Sequence, residues 1–150
     1  MQIIPIEPDQ ALVELLNRSA LPTSDINQPG SIYFYGCHQR GKLIGCVGIQ
    51  ICETVAMLRS LATQEEVRKF GLGQALVKHA ELNASLMGIE ALYLLTTTAA
   101  EFFERLGYRH LCRQQAPAVI RETTQFSELC PSTSSFMRKL FIKGRPRDLT

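Results

Sequence analysis

Arg68-Lys69-Phe70-Gly71-Leu72-Gly73-Gln74 sets two glycines one residue apart behind two cations. A helix-periodic stretch begins there and continues to Met87. Glycines in such a turn let the backbone come close to a ligand. The first turn of a helix offers unpaired N–H groups and the positive end of the dipole. The combination suits an anion, and a pyrophosphate in particular. A Walker A loop would need Lys-Ser/Thr after the second glycine, where Gln74-Ala75 stands; a dinucleotide fingerprint would need a small residue at Leu76. Arg59, inside the apolar run Met57-Leu58-Arg59-Ser60-Leu61, is the second residue with evident chemistry. A guanidinium in a buried strand needs a carboxylate, either from a bound anion or from the protein itself.

These residues sit in a chain whose composition narrows the possibilities. At 150 residues and 45% hydrophobic, it is expected to form a single packed domain, residues 1–150. A net charge of +2 gives no case for nucleic acid. The late basic residues Arg138, Lys139, Lys143, Arg145 and Arg147 read as a solvated tail. No apolar run reaches the ~18 residues of a membrane span, and the first residues lack the pattern of a signal peptide. Five scattered cysteines (Cys37, Cys46, Cys52, Cys112 and Cys130) with no C-x-x-C pair fit free thiols in a cytoplasmic setting. His38, His79 and His110 lie at no metal-ligand spacing, so no metal is expected. Three thiolates holding a soft metalloid is a remote alternative.

The elements that must position these residues follow from periodicity and punctuation. Ile3 to Ile6 reads as a strand, and Pro8-Asp9 opens a helix through Leu12, Leu15 and Leu16. Leu21 to Gly30 is loop chemistry. Ser31 to His38, Lys42 to Cys52 and Val55 to Ala62 read as a three-stranded meander, turning at Gln39-Arg40-Gly41 and Glu53-Thr54. The helix from Gly71 presents Leu72, Ala75, Leu76, Ala80 and Leu86 on one face and ends at Gly88. His79 and Asn83 fall within that apolar stripe, where a histidine satisfied by a neighbour is the plainest reading. Ala91 to Leu95 is a strand ending in Thr96-Thr97-Thr98, and Ala99 to Leu106 a short helix closed by Gly107. Tyr108 to Cys112 and Ser134 to Ile142 read as further strands, with one or two helical turns over Pro117 to Thr124. The order β-α-β-β-β-α-β-α-β-(α)-β predicts an α/β fold: one mixed sheet with helices on both faces.

Three motifs, taken together, resemble the GNAT acetyltransferase superfamily. They are Met57-Leu58-Arg59-Ser60-Leu61-Ala62-Thr63, Arg68-x-x-Gly71-x-Gly73, and Phe102-Phe103-Glu104-Arg105-Leu106-Gly107-Tyr108, spread over roughly residues 40 to 112. Further segments are similar to the arsenic-resistance N-acetyltransferases of bacteria, a subgroup akin to amino-acid N-acetyltransferases. Those segments are Leu21-Pro22-Thr23-Ser24-Asp25, Tyr93-Leu94-Leu95-Thr96-Thr97-Thr98 and Phe126-Ser127-Glu128-Leu129-Cys130-Pro131. The resemblance implies a GNAT-like sheet and acetyl-CoA as co-substrate. It implies a small amine as acceptor, with arsenic- or phosphorus-bearing glutamate analogues among the candidates. Two positions depart from the wider superfamily. Lys69 stands where many members have Gly, and Phe103 where many have a Tyr that protonates the leaving thiolate. Phe103 has no proton to give; Tyr108 is the candidate general acid close by in sequence, with a core aromatic, as its counterpart in the superfamily usually is, as the alternative.

The expected chemistry can be assigned to residues on that basis. Two parallel strands of a GNAT sheet splay apart, here those ending near Ala62 and Thr96, and unpaired N–H groups polarise the thioester carbonyl. Leu61, Ala62 and Thr63 are therefore the expected contacts to the acyl arm. Gly71, Gly73 and Gln74, with Arg68 and Lys69, are expected to hold the pyrophosphate. Arg59, Thr96, Thr97 and Thr98 are the candidate acceptor contacts, and Glu53 the candidate base. For Arg59 a structural salt bridge is an equal alternative; for the threonines, strand-end capping; for Glu53, an exposed turn. A lysine amine of pKa ~10.4 costs about 4–5 kcal/mol to deprotonate at pH 7, a terminal α-amine of pKa ~8 only about 1, and free amino acids fall in between. With no pair of carboxylates in evidence, an α-amine is favoured. A non-catalytic acyl-CoA-binding regulatory module is the alternative from another class, and the last strand is left free to pair in a homodimer.

Overall fold

The computed structural model describes residues 2–27, 32–129 and 133–141, with the side chains of residues 68–70 outside that set. Strand β1 (Ile3–Ile6) is followed by helix α1 (Gln10–Arg18). Asp9 caps α1 by accepting the Leu12 N–H at 3.1 Å, and Leu12, Leu15 and Leu16 form its buried stripe. The meander is β2 (Ile32–Gln39), β3 (Lys42–Cys52) and β4 (Val55–Thr63). Helix α2 (Leu72–Leu86), strand β5 (Ala91–Thr96), helix α3 (Ala100–Arg105) and strand β6 (Arg109–Leu111) come next. Helix α4 (Ala118–Arg121), a π-helical turn (Gln125–Leu129) and strand β7 (Ser135–Leu140) complete the described elements. The proposed ends at Ser31 and Ile142 lie outside the described residues, as do Lys143, Arg145 and Arg147 of the basic tail.

The strands form one sheet in the order β1-β2-β3-β4-β5-β7-β6. Only β4 and β5 run parallel; every other pairing is antiparallel. The mixed α/β sheet expected from the element order is thus present. On one face α2 and α3 cover Val47, Ile49, Leu58, Leu92 and Leu94. On the other, α1 packs on Phe34, Leu43, Cys46 and Ala62, and α4 on Met57, Tyr93 and Phe136. A Cβ at Gly45 would lie 2.8 Å from Leu72 Cδ2, so the absence of a side chain lets the start of α2 settle onto β3.

Three local differences from the sequence reading have physical causes. A 3-10 helix over Glu65–Phe70 replaces the expected loop, and two more short turns precede and follow α4. Such elements carry no periodicity of their own. The buried face of α2 is Leu72, Leu76, Val77, Ala80 and Ala84; Ala75 and Leu86 are exposed. Leu86 lies about 200° around the helix from the buried Ala84, so it meets solvent. Gly88, at φ +84°, closes α2 with Gly88 N–H to Ser85 O and Ile89 N–H to Ala84 O, both at 3.0 Å.

Candidate active site

The site begins where β4 and β5 stop pairing. Their parallel ladder holds only at Ala56 with Leu92 and Met57 with Tyr93. Beyond those pairs the strands part, and a cleft of about 1170 Å³ opens between Leu58–Thr63 on one side and Leu94–Thr98 on the other. A bulge in β4 assists the separation. Gly48 pairs with Arg59 and Cys46 with Ala62, so β4 carries one residue more than β3 across this interval. Ser60 absorbs it at φ +58°, a left-handed conformation that is strained for a side-chain-bearing residue. The bulge reverses the alternation of faces: Leu58 and Leu61 pack toward α2, whereas Ala62 packs toward α1. Leu61, Ala62 and Thr63 line the cleft along a stretch of β4 with no pairing to β5.

On the α2 face the cleft ends at the start of that helix. Gly71 caps α2 at φ +77°, and the first intrahelical bond runs from Ala75 N to Gly71 O at 3.1 Å. The N–H groups of Leu72, Gly73 and Gln74 therefore have no helical acceptor. Gly71, Gly73 and Gln74 all line the cleft. A Cβ at Gly73 would meet only Phe102, at 3.6 Å, which is ordinary contact. Protein packing does not demand this glycine, whereas a ligand against the helix end would. The backbone of Arg68 and Lys69 lies in the 3-10 helix just before Gly71, and their side chains are outside the described residues.

The opposite face of the cleft is walled by Ser19–Ser24, after α1, and by Gln125, Leu129 and Ser134. Arg59 ties this wall to the sheet. Its two terminal nitrogens donate to the two carboxylate oxygens of Asp25, with both side chains buried. Nη1 also donates to Gln50 Oε1 and Nε to Ser60 Oγ, each at 3.2 Å. The carboxylate that Arg59 holds is thus one supplied by the chain. The bridge fastens the loop after α1 beside the β4 bulge. Thr96, Thr97 and Thr98 line the cleft at the end of β5. Thr96 Oγ1 accepts the Ala99 N–H at 3.0 Å and so also starts α3; Thr97 and Thr98 are exposed.

Two expected residues are placed away from this cleft. Glu53 occupies the β3–β4 turn at φ +62° and is exposed. The cleft lies at the other end of β4, so at ~3.3 Å per residue Glu53 is some ~25 Å from Leu61. Tyr108 is buried behind α3, where its ring packs on Phe103 at 5.5 Å between centroids. Its hydroxyl donates to Glu81 at 2.9 Å, and Lys139 binds the same carboxylate at 3.1 Å. Burial, and then the Glu81 charge, push the phenol well above its ordinary range. It is not among the lining residues. Phe103 is, and with Phe102 it gives the cleft an apolar floor. His79 is half-buried against the Tyr35 ring, at 5.0 Å between centroids, as a core-facing histidine would be.

A family model described as the acetyltransferase (GNAT) domain matches residues 30–110, more than half of the chain. The chain belongs to the GNAT acetyltransferase family. It is 35% identical over 88 residues to an uncharacterized N-acetyltransferase of Chlorobaculum tepidum, a match covering 58% of this chain and 56% of that protein. It is 32% identical over 82 residues to the amino-acid acetyltransferase of Pseudomonas fluorescens, covering 53% of this chain and 19% of that one. The chain therefore spans about half the length of the first of these relatives and about a fifth of the second. A Mycobacterium tuberculosis protein crystallised with CoA superposes with a TM-score of 0.75 at 17% identity, covering 95% of this chain and all of that one. That solved structure shares the architecture described above.

Sequence reasoning did not single out Asp25, Gln125, Ser134 or Phe102 for the site. A buried arginine demands a carboxylate, and Asp25 beside the apolar Ile26 was the available signal. Gln125 and Ser134 reach the cleft through a π-helical turn and a strand entry, which no spacing rule foretells.

Proposed function

We propose that this protein transfers the acetyl group of acetyl-CoA to the α-amine of a small amino-acid-like acceptor. The observation that carries this reading is the continuity of the cleft. It runs from the first turn of α2, at Gly71–Gln74, to the Leu61–Thr63 stretch of β4, which has no register with β5, then emerges through the sheet beside the hydroxyl-bearing wall on the α1 and α4 face. Pyrophosphate sits at the helix end, supported by Arg68 and Lys69, and the thioester lies in the splay.

The acceptor nitrogen attacks the thioester carbonyl carbon, and the oxyanion that develops takes N–H bonds from the β4 edge. The C–S bond then breaks, the nitrogen loses a proton, and the thiolate takes one up, so the reaction is proton-neutral overall. Among the described side chains lining the cleft, Arg59 is the only ionisable one. The amine must accordingly arrive neutral with little help. That favours an α-amine over a lysine: a terminal α-amine costs about 1 kcal/mol to deprotonate at pH 7 and a lysine about 4–5, with a free amino acid between them. The departing sulfur, with a thiol pKa of ~8.5, can leave as thiolate at a modest cost and be protonated by solvent. Thr96, Thr97 and Thr98 contact the acceptor from the β5 side. Arg59 acts through Asp25, holding the acceptor wall in register. The amino-acid acetyltransferase relative supports this acceptor class, and the sequence resemblance adds arsenic- or phosphorus-bearing glutamate analogues, with detoxification as the physiological role.

Mass spectrometry of the protein with acetyl-CoA and a panel of free amino acids, phosphinic and arsinic glutamate analogues and a lysine peptide tests the proposal. Acetylation of free amino acids or their analogues is expected. Acetylation of the peptide alone would overturn the acceptor class, and CoA binding without any product would overturn the activity.

A further inference from the structure

Among the described residues, two polar atoms of the cleft's acceptor-side wall have no hydrogen-bond partner. They are Gln125 Oε1 and Ser134 Oγ, in residues only 5% and 8% exposed. Both residues line the cleft. Buried polar atoms are nearly always paired, and leaving one unpaired costs more than a hydrogen bond contributes. Two such atoms in residues that line one cavity call for a common explanation. Nothing in the local fold supplies it. Gln125 opens the π-helical turn beside Thr123, whose own hydroxyl is satisfied by Ile120 O at 2.8 Å. Ser134 immediately precedes the residue that pairs with Thr96, so it stands beside the threonine run at the end of β5. The two residues therefore border the side of the cleft by which an acceptor would approach the splay.

We propose that Gln125 and Ser134 form the acceptor subsite, and that it takes the backbone of a free amino acid. The inference rests on the acetyltransferase reading given above. Its chemistry follows from the atoms. An amide oxygen only accepts, so the missing partner of Gln125 Oε1 must be an N–H or O–H donor. The acceptor amine is that donor, and holding one of its hydrogens aims the nitrogen lone pair away from Gln125, into the splay. A hydroxyl both donates and accepts. Ser134 Oγ donates to the carboxylate of the same amino acid, one Cα away from the amine. Both side chains are neutral, so the subsite reads the amine–carboxylate pair by hydrogen bonding and leaves the choice of side chain to the rest of the cavity.

Removing either polar atom should weaken acceptor binding without harming the fold. Replacing an unsatisfied buried group by an apolar one of similar shape is neutral or stabilising. The test measures three quantities in the wild type, Gln125→Leu and Ser134→Ala. These are the affinity for CoA by calorimetry, the affinity of the CoA-bound protein for a panel of free L-amino acids and their methyl esters, and the melting temperature without ligands. The expected result is unchanged CoA affinity, a melting temperature equal to or above wild type, and amino-acid affinity lower by about tenfold or more. Methyl esters should bind the wild type more weakly than the free acids, and Ser134→Ala should erase that difference. Wild-type amino-acid affinity in both variants, with CoA binding intact, would overturn the subsite while leaving the acetyltransferase reading in place. So would a lowered melting temperature with acceptor affinity kept, which marks a structural role. A wild type that binds no CoA would overturn both.

Discussion

The two halves of the β4–β5 interface differ in everything but sequence proximity. From Ala56 to Met57 the strands pair, and the side chains they bury are apolar: Ala56 and Leu92 toward α2, Met57 and Tyr93 toward α4. From Leu58 onward the ladder lapses, the backbone bulges at Ser60, and the lining turns to Arg59, Ser60, Thr63 and Thr96–Thr98. The first half is held by its own hydrogen bonds. The second has no register across the β4–β5 gap and is flanked by the Arg59–Asp25 bridge on one face and the start of α2 on the other. A gap between two neighbouring strands inside the sheet marks where a ligand belongs.

The contrast can be broken most severely at the bridge. Asp25→Ala leaves a guanidinium buried without its carboxylate and should cost about 3–5 kcal/mol of stability in denaturant unfolding. The double variant Asp25→Leu with Arg59→Met removes both charges and should recover most of that loss while still lowering turnover, because the acceptor wall is no longer fixed to β4. Recovery of both stability and full turnover would make the bridge irrelevant to the site.

The next largest effect lies at the helix end. Gly73→Val places a branched side chain where only Phe102 is near, so melting should change little. It should nonetheless displace a bound pyrophosphate, and a shift of about 1 Å in such a ligand lowers kcat/KM on the order of 100-fold. A variant with normal kinetics would show that nothing approaches the helix there.

Tyr108→Phe sharpens the comparison by touching neither half of the interface. Loss of the hydroxyl bond to Glu81 should cost about 1 kcal/mol of stability, with Lys139 still holding the carboxylate. The kcat and its pH profile should match wild type; a lost alkaline limb would restore Tyr108 as general acid.

The smallest effect concerns His79. Burial lowers its pKa below the ordinary 6.5, so the folded state prefers the neutral ring. Between the lowered value and 6.5 the unfolded chain binds more protons, so this contribution is present above pH 6.5 and fades as pH falls through that window. His79→Gln should flatten a slight decline in melting temperature there and leave activity unchanged.

Much of this was legible in the sequence. The meander, the glycine turn and the Thr96–Thr98 strand end announced themselves through alternation, punctuation and helix periodicity, and they locate the cleft on β4, β5 and α2. What was not legible came from long-range geometry. Glu53 was a reasonable base by residue type, but strand direction carries it to the far end of β4. Tyr108 was adjacent to Phe103 in sequence, yet Gly107, at φ +99°, turns the chain so that its hydroxyl meets Glu81. The bulge at Ser60 shows no glycine to betray it. Arg59 was rightly read as needing a carboxylate, but its partner lies 34 residues earlier in a loop.

The most direct test of the central claim is amide hydrogen exchange with and without acetyl-CoA. Leu61–Thr63 and Leu72–Gln74 should become protected on binding, while Val55–Met57, already paired, should not change. Protection confined to other segments, with exchange at Leu61–Thr63 unchanged by acetyl-CoA, would contradict the account.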